Sequence, residues 1–152
     1  MKISELRRFK ADDGGTLVEF GLVAVMFVVV LLGVVDMGRM VLVYTTLAQS
    51  ARAGARYAIV HGADRTGAGP NGPSGPAANP IQVVTVVKNF ASAGPLNPAG
   101  LGTPAVTYVN GTNTVGSKVR VTVTYTYDPL VSYYNSLLNV TMSSTSEGII
   151  VF

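Results

Sequence analysis

The sequence predicts an α+β protein in which a long N-terminal transmembrane helix precedes a small domain with a helix packed on an antiparallel β-sheet. Three observations carry that expectation. From Phe20 to Val35 there is no charge and no strongly polar side chain. From Lys118 to Tyr127 apolar and polar residues alternate strictly. Between these stretches lie segments dominated by Gly and Pro, the residues that interrupt regular structure.

The apolar segment comes first. Its sixteen positions would make roughly 24 Å of helix, a few ångströms short of a hydrocarbon core. Apolar residues resume from Met40 to Tyr44, so a helix continued to Tyr44 is long enough to span. It would then hold Asp36 and Arg39 near its outer end. Lys2, Arg7, Arg8 and Lys10 precede the run, which favours a cytoplasmic N-terminus and a translocated remainder. A cleaved export signal would have a shorter apolar core closed by a small-residue site. Here the helix-compatible sequence continues past Arg39 instead.

Residues 1–14 are expected to form a cytoplasmic leader, with Gly14-Gly15 breaking any earlier helix and Thr16 capping a new one. From Leu17 one helix is predicted to about Ala58, so residues 15–60 make a transmembrane helix with an amphipathic extension. Leu47, Ala51, Gly54, Ala55 and Ala58 form a small-residue stripe on that extension. The stripe suits either a second helix or the protein's own domain. Residues 61–80 look like an exposed, turn-rich linker, and 81–152 like a small extracytoplasmic domain.

Within that domain, residues 81–90 carry local β-propensity in Val83 to Val87. The Pro at their start, the Gly94-Pro95 stop and the spacing of Ile81, Val84, Val87, Lys88 and Ala91 nevertheless favour helix. Pro95 to Thr103 reads as a second linker. Ala105 to Val109 suits a short strand before an Asn110-Gly111 turn. Lys118 to Tyr127 should present Val119, Val121, Val123, Tyr125 and Tyr127 on one face. Residues 130–138 suit a short helical excursion and 139–146 a second long strand. Gly148 permits a bend before an apolar tail that packs on the sheet or extends its last strand.

Chemistry is sparse. One histidine, His61, and no cysteine exclude a conventional zinc cluster and a His-centred triad built from this chain alone. No serine lies in a nucleophile elbow. Asp128 and Glu147 could occupy the same region of a sheet, but the sequence gives no sign of the controlled separation or cleft that a glycosidase pair needs. His61 reads as a helix-end polar residue. The net charge of +3 comes from scattered bases without interleaved aromatics, so nucleic-acid binding has no support. No cofactor or metal is expected, and the reading is non-enzymatic.

Glu19 stands apart, because a carboxylate at the start of an apolar helix is costly unless it is neutralised or reaches headgroups and water. An amino group freed at Gly15 could neutralise it, in the same chain or a neighbouring one. Asp36 and Arg39, three residues apart, suit partial pairing on one helix face, a mark of the outer interface, or positioning against another helix.

These residues carry a family resemblance. The basic Arg7-Arg8 leader, Gly14-Gly15, Val18-Glu19-Phe20, the apolar run to Val35, Asp36-Met37-Gly38-Arg39 and the Ala/Arg-rich Ala48 to Tyr57 together resemble the TadE-like family. Its members are minor pilins, or pseudopilins, of the tight-adherence (Flp) pilus system. The strands VRVTVTYTYDPL and NVTMSSTSE are similar to the β-rich part of that family. The resemblance implies cleavage after Gly14 by a membrane-embedded prepilin peptidase, which leaves Glu19 as fifth residue of the mature chain. It implies Glu19, Phe20, Asp36 and Arg39 as subunit contacts. The implied partners are the major pilin, other pseudopilins, the inner-membrane assembly platform and the lipid bilayer. The implied location is the inner membrane, single-pass, with a periplasmic domain and possible incorporation in the pilus. The competing reading is a single-pass membrane-tethered structural or sensor protein unrelated to pili.

Overall fold

The computed structural model describes residues 3–75, 80–130 and 140–152, with side chains from Gly14 onward. Helix α1 (Ile3–Val60) is followed by a 3-10 turn (Gly69–Asn71) and helix α2 (Ile81–Ser92). A second 3-10 turn (Pro98–Gly100) leads into β1 (Ala105–Tyr108), β2 (Lys118–Tyr127) and β3 (Val140–Ile149). The described residues thus form an α+β protein, and they divide into two compact units, Met1–Gly38 and Arg39–Phe152.

The first unit is helix alone. Gly14-Gly15 does not interrupt α1, contrary to expectation, and Thr16 lies inside the helix. Two glycines cost a helix about 2 kcal/mol relative to alanine. Opening the ladder there would cost more, because it strands backbone donors and acceptors beside an apolar segment. Every large apolar side chain from Leu17 to Met37 is at least 39% exposed. Those positions extend over roughly 31 Å, the thickness of a bilayer's hydrocarbon core. A helix that is apolar on all sides and covered on none has lipid or another protein as its natural surroundings.

The second unit holds the core. Val43, Leu47, Ala51, Ala55 and Ala58 are buried at helical spacing on the last five turns of α1. They join Val83, Val87 and Ala91 of α2 and the inner row of β2, Val119 to Tyr127. The small-residue stripe is therefore used by the protein's own domain. Gly54 marks the closest approach: a Cβ there would collide with Val87 Cγ2 and lie 3.2 Å from Val121 Cγ1. One missing side chain lets two helices and the central strand meet.

The expectation of helix for residues 81–91 is met, but the buried face differs. Val83, Val87 and Ala91 face the core, whereas Ile81 is 80% exposed. The predicted stripe followed hydrophobicity, while one true i, i+4, i+8 row suffices for a twelve-residue helix.

The sheet is antiparallel with order β1-β2-β3. Val121 pairs with Val106 on one side and Ser146 on the other, so β2 is central. The predicted alternation on β2 appears in full. Its outward face is polar, with Thr122 hydrogen-bonded to Thr145 and Arg120 ion-paired with Glu147. The Asn110-Gly111 turn forms, the Gly111 N–H donating to the Tyr108 carbonyl at 2.9 Å.

The last strand begins at Val140 and runs to Ile149, longer than expected. Gly148 does not bend it out of the ladder but pairs with Val119. The Ile59 side chain fills the space a Cβ at Gly148 would need. Beyond the strand Ile150 is fully buried, so the apolar tail both extends the strand and packs. The expected helical excursion at 130–138 falls almost entirely outside the described residues.

Candidate functional site

Three places hold the residues that could carry function: the start of the apolar helix, the outer end of that helix, and the junction where α1 ends. Gly14, Gly15, Glu19 and Phe20 occupy fewer than two turns of exposed helix. A side chain added at Gly14 or Gly15 would meet nothing within 4 Å beyond the helix itself. Glu19 follows Gly15 by four positions and shares its helix face. Phe20, 74% exposed, points an aromatic ring into whatever surrounds the helix.

Asp36 is half-buried near the end of the first unit, and Arg39 opens the second. The Arg39 guanidinium lies over the Tyr127 ring, 5.9 Å from its centroid. That distance is within reach of a cation–π attraction. The sequence offered Asp36 as a neighbour for Arg39; Tyr127, at the end of β2, was not foreseeable from spacing.

The end of α1 is closed by the residues that directly follow it and by one distant backbone donor, Val151. Its last four carbonyls all find donors, as buried helix ends require. His61 Nδ1 lies 2.8 Å from the Tyr57 carbonyl, which can only accept, so the ring proton is on Nδ1. The His61 N–H reaches Ala58, the Val151 N–H reaches Ile59, and Arg65 Nη1 reaches Val60. The His61 ring also stacks on Tyr57 with centroids 3.8 Å apart. His61 is thus a structural helix-end residue, in keeping with its sequence reading.

The segment after His61 was expected to be an exposed linker, and here the structure differs. Ser74 is buried and both its N–H and its hydroxyl donate to the His61 carbonyl. With its one hydrogen so used, Ser74 Oγ accepts from the Tyr108 hydroxyl at 2.7 Å. The Tyr57 hydroxyl donates to the Pro70 carbonyl at 2.6 Å. Proline and glycine give this loop its turns, but buried hydrogen bonds tie it down. Only the Tyr57/His61 spacing hinted at the arrangement.

Burial pushes the Tyr108 hydroxyl above its ordinary pKa of 10.0. Among the described residues no group of His, Asp and Glu could hold a metal. Asp128 follows the end of β2, while Glu147 pairs with Arg120 near its other end. The two carboxylates are separated by roughly 26 Å of strand, too far for joint chemistry. An open cleft lined by Asn97, Gly100, Tyr125, Tyr127 and Asp128 offers a single carboxylate and no base.

Comparison with known proteins bears on the helix. A family model described as TadE-like protein matches from Gly14 through the apolar run to Arg56. Residues 14–56 are thus similar to the TadE-like family. The TadE-like segment takes in Gly14, Gly15, Glu19, Phe20, Asp36 and Arg39. It ends before α2 and the sheet, so the similarity of the two long strands lies outside it. No curated protein and no solved structure matches the chain. One long apolar helix suggests a single-pass membrane anchor.

Proposed function

We propose that this protein is a non-enzymatic minor pilin-like component of tight-adherence pilus assembly, anchored in the inner membrane with its domain in the periplasm. The observation that carries the proposal is the bare apolar sleeve from Leu17 to Met37, which follows Gly14-Gly15 and bears one acid, Glu19, at its start. That combination falls inside the TadE-like segment. The upstream bases favour a cytoplasmic N-terminus. The single histidine and the lack of cysteine argue against catalysis.

In this reading a prepilin peptidase cuts after Gly14. The new amino group at Gly15 sits one helical turn from Glu19 and compensates its charge at the membrane boundary, within the chain or across neighbouring subunits. Phe20 packs beside it. Asp36 and Arg39 mark the outer boundary, where the span gives way to the domain. The partners are the peptidase, the major pilin and other pseudopilins, and the assembly platform.

Mass spectrometry of the membrane-extracted protein should find a mature chain beginning at Gly15. Gly14→Ala should block processing. Glu19→Ala should leave cleavage intact but weaken co-purification with pilin partners by about tenfold or more, the scale of breaking one poorly solvated ion pair. Retention of Met1 in cells with an active peptidase and assembled pili would defeat the proposal.

A further inference from the structure

We infer that the outward face of α1 between Val41 and Arg56 is a docking surface for a different membrane-anchored chain, one whose parallel helix carries carboxylates at the height of Arg52 and Arg56. The inference rests on the anchored reading above and names the partner's chemistry. Within the second unit, α1 has two faces. The inner one, Val43 to Ala58, is consumed by the core. The outer one, opposite it, carries Val41, Thr45, Gln49, Arg52 and Arg56 on successive turns, all exposed. Beside them Leu42 is 58% and Tyr44 50% exposed. Among the described residues no carboxylate pairs with Arg52 or Arg56.

The lower turns are therefore apolar and the upper turns cationic. Chains inserted in the same direction pair in parallel, which puts equivalent positions at equal height. A second copy would then set Arg52 against Arg52 and Arg56 against Arg56 at a helix separation of about 8–10 Å. No acid lies on α1 between Val41 and Val60 to relieve that repulsion. The nearest acid below, Asp36, is sixteen positions from Arg52, so a copy would have to slide by roughly 24 Å to offer it. Aspartate or glutamate on another chain removes the conflict and leaves the apolar turns in register. The face thus attracts an acidic partner and rejects its own kind.

The charge-reversed chain is the probe for such a partner. The protein has no cysteine, so Gln49→Cys gives one reporter thiol on this face. Full-length Gln49→Cys chains with wild-type arginines and with R52E/R56E are combined in phosphatidylcholine vesicles under two different tags and oxidised. Mixed disulfide dimers should exceed wild-type self-dimers by roughly fivefold, as two exposed like-charge contacts become opposite-charge ones. The excess should collapse in about 1 M salt, where screening acts within about 3 Å. R52Q/R56Q, which keeps the helix without adding acid, should self-link more than wild type. Equal yields in all combinations, or an excess that ignores salt, would overturn the inference. Carbonate extraction of the same vesicles separates the two claims. A chain that stays embedded but links indiscriminately overturns the docking face alone. A chain released by carbonate overturns the anchor and, with it, the parallel pairing.

Discussion

Ser74 shows how much a single hydroxyl holds together. It fixes the loop after α1 to the helix end and accepts from Tyr108 on β1. Ser74→Ala leaves the buried Tyr108 hydroxyl without its partner, a loss of about 1–3 kcal/mol. Tyr108→Phe removes the donor itself and should cost about 0.5–1.5 kcal/mol. Because the two share one bond, S74A/Y108F should be little worse than the costlier single change, and denaturant unfolding of the four proteins measures that coupling. Alkali tests the same pair. The folded Tyr108 pKa lies above 10.0, so its share of stability is complete below pH 10 and is lost as pH rises through the folded value. Burial raises the Tyr57 pKa as well, so absorbance at 295 nm should show late-titrating tyrosines of which Tyr108→Phe removes one.

At the scale of elements, what was legible in the sequence follows the physics of periodicity. β2 was fully legible because Val119 to Tyr127 alternate with threonines, and a period of two has one interpretation. The helical nature of residues 81–91 was legible from its termini despite its valines. Its buried face was not, because four valines within five positions leave the direction of the core undetermined until α1 and β2 are in place. The loop after His61 was illegible for a different reason: proline and glycine announce turns but say nothing about which carbonyls the turns present. At the candidate site the sequence singled out Glu19 and Arg39, yet Tyr127 beneath Arg39 needed the fold. Gly54 was visible as a small residue, and its indispensability came only with Val87 and Val121 around it. Gly54→Ala gains about 1 kcal/mol of helix propensity but forces a collision at the junction, so a net loss of about 1–2 kcal/mol is expected. Gly54→Leu should prevent assembly of the core, which thermal unfolding followed by circular dichroism will register.

For the whole molecule, the buried core residues all lie in the second unit, Arg39–Phe152. Residues 39–152 expressed alone should fold, unfold in a single cooperative transition and keep helix and sheet signals together. Loss of that transition would show that the domain depends on the segment before it.

The hydrogen bond from Val151 to Ile59 joins residues separated by about ninety positions, and Ile150 is sealed into the same junction. A chain synthesised N-terminus first presents α1 long before it presents Ile150 and Val151. Until then the carbonyl and the flank of Ile59 stay open to water, and the core row of α1 has no sheet to cover it. Synthesis and folding are consequently ordered in time: the domain is a late event, completed only when Ile150 and Val151 have emerged. In that interval the emerging helix is sticky along both faces, and whatever chaperone or neighbouring subunit meets it first does so before the finished surface exists.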